Sequence, residues 1–323
     1  LIYNYTQMLK RPLQTITRQL QQLQRAGAGV GRIREILETE TRLPAVAPSD
    51  ARTLPSGALS VHFDHVTFTY DDEEARDESS EAVASDGSGP APVLHDITFD
   101  LPPGAVLGLL GRTGSGKTTL IRLLLRLYDP DAGAVCLGDG DAVDVGDVPL
   151  HALRGRVGIV TQEIQLFNAS VRDNLTFFDD GITDERIREV LADLGLTPWL
   201  ASLPEGLDTV LEADGGGLSA GEAQLLAFTR IFLRDPGLVI LDEATSRLDP
   251  ATEQLIERAV DRLVADRTAI VIAHRLGTVQ RADEILILEE GRILEHGDRA
   301  TLAEDPTSHF AHLLRTGLEA VMV

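Results

Sequence analysis

Apolar positions along this chain follow three successive patterns, and each predicts a different kind of element. Over residues 1–45, Leu9, Leu13, Ile16, Leu20 and Leu23 recur at alternating steps of four and three, and Val30, Ile33 and Leu37 continue the stripe. That period predicts one long amphipathic helix with Gln and Arg on its other face. Pro12 is placed to kink its start, and Gly27, Gly29 and Gly31 weaken its middle. Pro44, Pro48, Pro55 and Gly57 then mark a linker, assigned to residues 46–58. Alternation at period two predicts strands at residues 59–63 and 66–70. From residue 93 to about 314, strands and helices interleave. An apolar run at 105–110 reads as a buried strand leading into a helix over 119–125. Apolar strands at 157–160 and 238–241 bracket a mostly helical stretch, about 165–233, with helices expected over 184–194 and 222–233. The whole predicts an α/β domain over 59–316. It combines a parallel or mixed sheet, an antiparallel β subdomain and an inserted α-helical subdomain, with the long N-terminal helix before it and a tail at 317–323.

Composition changes that picture in one place. Residues 71–92 hold eight acids (Asp71, Asp72, Glu73, Glu74, Asp77, Glu78, Glu81 and Asp86) against Arg76, hence −8 + 1 = −7. Such a segment cannot bury enough apolar surface to fold, so a disordered insertion is expected. A hydrophobic fraction of 43% supplies a core for the rest, and the net charge of −22 opposes a nucleic-acid surface. Cys136 is alone, which excludes an internal disulfide. No run reaches the ~18 apolar residues of a membrane span.

Chemistry enters between the strand at 105–110 and the helix after it. Gly111, Arg112, Thr113, Gly114, Ser115, Gly116, Lys117 and Thr118 form a complete G-x-x-x-x-G-K-[ST] loop, with Thr119 following in the helix. Strand, loop and helix are the setting this phosphate-binding motif requires. Its glycines let backbone N–H groups turn toward phosphate oxygens, and the helix N-terminus adds partial positive charge. Lys117 is placed to reach the β- and γ-phosphates, and the Thr118 hydroxyl to ligate Mg²⁺. The fold class is therefore expected to be a P-loop NTPase. Downstream, the strand at 238–241 ends in Asp242 and Glu243. Asp242 at the strand tip can hold Mg²⁺ through water, and Glu243 is placed to orient or deprotonate an attacking water.

With these motifs in order, the chain resembles the nucleotide-binding domain of ABC transporters over nearly its whole length. Tyr70 matches the aromatic that stacks on adenine in that family. Gln162, after Val157-Gly158-Ile159-Val160-Thr161, matches the Q-loop glutamine that senses Mg²⁺ and touches the membrane domain. Leu218-Ser219-Ala220-Gly221-Glu222 stands in the place of the signature Leu-Ser-Gly-Gly-Gln, so Ser219 and Gly221 are implied nucleotide contacts. Asp249 resembles the D-loop aspartate, and His274 the switch histidine facing the γ-phosphate. Residues 166–175 and 273–276 resemble the exporter branch, as does the helix at 1–45, which is similar to the cytoplasmic end of an exporter's last transmembrane helix. The resemblance implies ATP and Mg²⁺ as ligands, with Glu243, His274 and Gln162 in catalysis and Thr118, Gln162 and Asp242 at the metal. It also implies a dimer that sandwiches ATP between one subunit's P-loop and the other's signature. A transmembrane domain would be a further partner, with the ATPase domain on the cytoplasmic face of the cell membrane. Beginning at Leu1 rather than Met, the chain is expected to be the C-terminal part of a longer protein.

The chain departs from the family at the signature. Ala220 replaces a glycine where backbone should approach phosphate, so its Cβ is expected to crowd the site or limit its dihedrals. Glu222 replaces a neutral amide with a carboxylate. What the chain offers ATP in its own P-loop is intact, whereas what it offers a partner's ATP is weakened. That resembles one half of a heterodimeric exporter whose other chain carries an intact signature. The alternative is an ATP-gated regulatory subunit that hydrolyses little. A soluble ABC ATPase acting on DNA is a third class. It would need a long coiled coil between P-loop and signature, where this chain has about 100 residues, and an acidic surface opposes it.

Overall fold

Unbroken apolar strands need cover on both faces, and the fold supplies it by stacking two sheets and a helical layer. The computed structural model describes residues 43–47, 49–70, 91–161, 164–212, 218–242, 250–272 and 279–316, together with residues 34 and 37. The chain divides into two compact units, Leu1–Pro44 and Ala45–Val323. In the first unit Arg34 and Leu37 are helical, as the periodicity predicts. The rest of that helix, most of the acidic insertion (71–90) and the tail at 317–323 lie outside the described residues. Among the described residues no helix is long and apolar enough to cross a membrane.

The second unit opens with strands β1 (Ser60–Phe68), β2 (Leu94–Leu101) and β3 (Val106–Gly111), then helix α1 (Lys117–Leu124). Strands β4 (Ala132–Gly138) and β5 (Val143–Asp144), helix α2 (Leu150–Arg156) and strand β6 (Val157–Val160) follow. The helical insert consists of β7 (Ala169–Ser170), α3 (Val171–Thr176), α4 (Asp184–Asp193), α5 (Thr197–Ser202), β8 (Val210–Leu211) and α6 (Ala220–Arg234). The chain then returns through β9 (Leu238–Asp242), α7 (Pro250–Val264), β10 (Thr268–Ile272), β11 (Glu284–Glu289) and β12 (Arg292–Asp298). It closes with α8 (Arg299–Glu304) and α9 (His309–Thr316).

One sheet has the order β12-β11-β3-β10-β9-β6, parallel except for the β11–β12 hairpin. A four-stranded antiparallel sheet, β2-β1-β4-β5, forms the subdomain expected at the start. Residues of the central strands alternate between two cores. Val106, Val239, Leu241, Ala269 and Val271 pack with the helical insert. Leu107, Leu109, Ile240, Ile270 and Ile272 pack with the antiparallel sheet and α1. Burial on both faces explains why these strands carry no polar alternation. Each such Leu, Ile or Val contributes about 1.5–3 kcal/mol of transfer free energy.

The strands expected at 59–63 and 66–70 are one continuous strand, β1. Phe63 and Val66 are both buried although three apart, an odd step that a flat strand cannot accommodate. A bulge at Asp64 and His65 restores the phase: the register shifts between Phe63 and Val66 against β2, and His65 has φ 50°. His65 donates its N–H to Thr98 Oγ1 and its ring pairs with Asp96 at 2.6 Å, which secures the bulge. The linker lies along the same unit, since Arg52 N–H donates to the Asp147 carbonyl and Arg156 donates to the Gly57 carbonyl.

Within the insert, Arg172 binds both Asp184 oxygens, at 2.7 and 2.9 Å, and also reaches Asp208. Asn174, almost fully buried, accepts from Phe167 N–H and donates to the carbonyls of Phe167, Ala169 and Ser170. These polar pins fix α3 beneath α6, whose Arg230 donates to the Asn174 carbonyl at 2.8 Å.

Candidate nucleotide site

Strand β3 ends at Gly111 with φ 149°, a conformation that suits a residue without a Cβ. A Cβ there would stand 2.4 Å from the Leu288 carbonyl and 2.5 Å from Ser115 Oγ. Gly114 (φ 79°) and Gly116 (φ 104°) complete the turn, and a Cβ on Gly116 would meet Leu94 Cδ2 at 2.7 Å. The result is a cradle whose wall is backbone. The Lys117 ammonium donates to the carbonyls of Gly111 at 2.6 Å and Arg112 at 2.9 Å, which holds it across the mouth of the loop. The Ser115 hydroxyl is buried with no hydrogen-bond partner among the described residues. At the start of α1, Leu120 N–H donates to the Gly116 carbonyl, which places the preceding first-turn N–H groups ahead of the helix ladder. An orphaned hydroxyl, first-turn N–H groups and a lysine around a glycine cradle fit a phosphate chain. Gly111→Ala is expected to destabilise the domain by about 3 kcal/mol through overpacking and a forced φ, and to weaken nucleotide binding. Urea unfolding with and without Mg-ATP measures both effects.

A second hairpin braces the loop, and the motif alone did not announce it. Between β11 and β12, Glu290 (φ 47°) and Gly291 (φ 72°) form a turn with both central residues left-handed. Gly291 N–H donates to the Ser115 carbonyl at 3.1 Å and accepts no Cβ, because the Val93 carbonyl would lie 2.1 Å from it. A Glu-Gly pair between two apolar strands was the available signal.

Sheet register brings the second motif to the same edge. Ile272 of β10 lies beside Leu109 of β3 on one side and Asp242 of β9 on the other. The P-loop and Asp242 therefore emerge together at the carboxyl ends of parallel strands, where open α/β sheets bind ligands. A hydroxyl at Thr118 and a carboxylate at Asp242 are the hard oxygen donors that suit Mg²⁺. Gln162, Glu243, Asp249 and His274 lie outside the described residues. β6, β9 and β10 end at residues 160, 242 and 272, shortly before Gln162, Glu243 and His274.

Two expectations change. Tyr70 is 1% exposed, with Phe68 and Tyr128 packed edge-on against it at 4.8 and 5.2 Å. Its hydroxyl donates to Thr119 Oγ1 at 3.1 Å and accepts from Arg122 at 3.3 Å. In this arrangement Tyr70 has no open face for adenine; it ties the end of β1 to α1. At the signature, Ala220 is the first residue of α6 and helical, so its dihedrals cost nothing there. Glu222, partly exposed, turns back onto the helix start. Its Oε2 accepts from Ser219 N–H at 2.8 Å and from the Ser219 hydroxyl at 2.9 Å, while Glu222 N–H donates to Ser219 Oγ at 3.2 Å. This reciprocal pair is a capping box. Gly221 is buried in the first turn of the same helix.

Comparison with known proteins joins these parts. The sequence profile of the ABC transporter family matches residues 94–246, from β2 through the P-loop and signature to just beyond Asp242. A lipid A-core flippase of Vibrio cholerae is 36% identical over 311 residues, which are 96% of this chain and 50% of the flippase. The chain belongs to the ABC transporter family. A fatty acid ABC transporter ATP-binding/permease protein of Mycobacterium tuberculosis is 34% identical, across 92% of this chain and 43% of that protein. A solved bacterial Atm1-family ABC exporter with ATP bound superposes with a TM-score of 0.70 at 32% identity, covering 93% of this chain and 47% of the exporter. The chain thus spans about half the length of the curated relatives it matches.

The fold of this chain also contains a groove that the motifs did not indicate. A cavity of 460 Å³ lies between edge strand β6 and the insert, lined by Leu127, Ile159, Phe167, Phe177, Arg230 and Arg234. Leu127, Phe167, Phe177 and Phe178 are all exposed, and Phe167 packs against both neighbouring rings. Arg230 and Arg234 stack on Phe177 at 4.6 and 4.8 Å. Burial, with Arg234 close by, lowers the Arg230 pKa to about 10.

Proposed function

We propose that this chain is the ATP-binding and ATP-hydrolysing part of an exporter subunit, driving transport by closing on ATP with a second ABC subunit and reopening after hydrolysis. The glycine cradle with its orphaned Ser115 hydroxyl carries the reading. Gly111 to Thr119 hold the triphosphate through backbone N–H groups, with Lys117 along the β- and γ-phosphates. Thr118, Asp242 and Gln162 are the residues that would hold Mg²⁺, which when bound neutralises charge developing on the phosphates. Glu243 orients the attacking water and takes its proton, His274 faces the γ-phosphate, and Asp249 contacts the nucleotide across the dimer.

The apolar groove is assigned to a segment of the membrane part. Large exposed apolar patches mark docking sites, and the unmatched half of the relatives includes a permease. Helix α6 carries the signature at its start and lines the groove through Arg230 and Arg234. At ~1.5 Å per residue it is a rod of roughly 22 Å that would move both together. This assignment puts the domain on the cytoplasmic face of a membrane. The intact P-loop beside an altered signature supports a heterodimer whose other chain carries the unaltered signature.

Titration calorimetry of the folded chain with Mg-ATP is expected to show exothermic binding. Phosphate release is expected to be slow for the chain alone and to rise when a partner chain with Leu-Ser-Gly-Gly-Gln is added. No heat of association would overturn the reading. Full turnover by the isolated chain, unchanged by any partner, would remove the heterodimer.

A further inference from the structure

We infer that Glu222 sets how weakly this chain's signature grips a triphosphate presented by a facing subunit, by keeping its own carboxylate on the donors that phosphate would use. The inference rests on the composite site proposed above and adds the residue that decides its strength. One carboxylate oxygen of Glu222 takes both the hydroxyl proton and the N–H of Ser219, at 2.9 and 2.8 Å. The remaining capacity of the Ser219 oxygen receives Glu222 N–H at 3.2 Å. Every polar group of Ser219 that could face a phosphate therefore already has a partner three residues away.

The carboxylate also places a full negative charge in the first turn of a fifteen-residue helix. That position is where the partial positive end of the helix would otherwise attract an anion. A γ-phosphate approaching Ser219 thus meets an occupied donor and a like charge. It can bind only if Glu222 leaves its cap. A glutamine at 222 would keep the capping box, because either side chain serves at that position, but would remove the charge and supply an N–H₂ donor. The family's neutral amide and this chain's carboxylate are equivalent for folding the helix and opposite in effect on a facing phosphate.

The test is self-association of the 323-residue chain in Mg-ATP, followed by sedimentation equilibrium, for the wild type, Glu222→Gln and the double variant Ser219→Ala/Glu222→Gln. Glu222→Gln is expected to tighten ATP-dependent association by about tenfold or more, since it removes like-charge repulsion at close range. The thermal midpoint should not change, and the gain should shrink as salt rises. In the double variant the gain should shrink to what the relief of charge repulsion supplies, because the hydroxyl that a neutral amide holds less tightly is gone. A cap that served only to hold the helix would leave association alone. Association that is unchanged or weaker in Glu222→Gln overturns the inference, and so does a gain that the double variant keeps in full. Calorimetric binding of Mg-ATP to the chain separates the two levels. Binding without any gain overturns this inference alone, whereas no binding by any form overturns it together with the reading beneath it.

Discussion

Replacing Lys117 by Ala is expected to lower turnover by about a thousandfold and to weaken Mg-ATP binding as well. Lys117 is largely buried at the mouth of the cradle, where its ammonium spans the Gly111 and Arg112 carbonyls. That position pre-organises the charge before nucleotide arrives. It interacts with the phosphates in the ground state and more strongly as charge builds up during transfer, so affinity and rate should fall together. Arginine does not substitute, because a planar fork cannot make the same point contacts within a backbone loop. Phosphate release and calorimetry on folded Lys117→Ala measure both quantities. Wild-type turnover in that variant would contradict the assigned role and the placement of the triphosphate.

Replacing Glu243 by Gln should separate binding from chemistry. Turnover is expected to fall by about 10²–10⁴-fold, the range for loss of a positioned general base, with Mg-ATP affinity within about twofold of the wild type. Glu243 directly follows Asp242, the last residue of β9, which the β10 register aligns with the strand leading into the P-loop. A carboxylate there can take a proton from water beside the γ-phosphate; the amide keeps the size and loses the basicity. Unaltered hydrolysis in Glu243→Gln would contradict the role assigned to Glu243. Single-turnover phosphate release with bound Mg-ATP distinguishes a slow chemical step from slow product release.

The motif residues were legible because their chemistry is local. Gly111, Gly114, Gly116 and Lys117 act within eight consecutive residues, and the apolar strand before them leaves few other foldings. The helices expected over 184–194 and 222–233 correspond to α4 and α6 within two residues at each end. The break expected inside β1 was misplaced for a definable reason. Two alternating runs out of phase suggest two strands, but a single bulged residue reconciles them at less cost than ending the sheet. Tyr70 was misread because a family match specifies a position but not what packs on the ring. The charge of Glu222 was legible but not its direction, since a carboxylate three residues after a serine is both a cap and an exposed charge until the helix start is known.

By itself, then, the amino-acid order determined the cradle, the strand carrying Asp242, the interleaved α/β plan and membership of a transporter family, all consequences of short-range pattern. Tertiary structure decided which distant pieces meet. It set Asp242 beside the P-loop through β10, pressed the Gly291 turn against Ser115, enclosed Tyr70 and gathered Phe167 and Phe177 around one groove. Those outcomes depend on sheet order and side-chain packing between residues tens to hundreds of positions apart, and no local period encodes them.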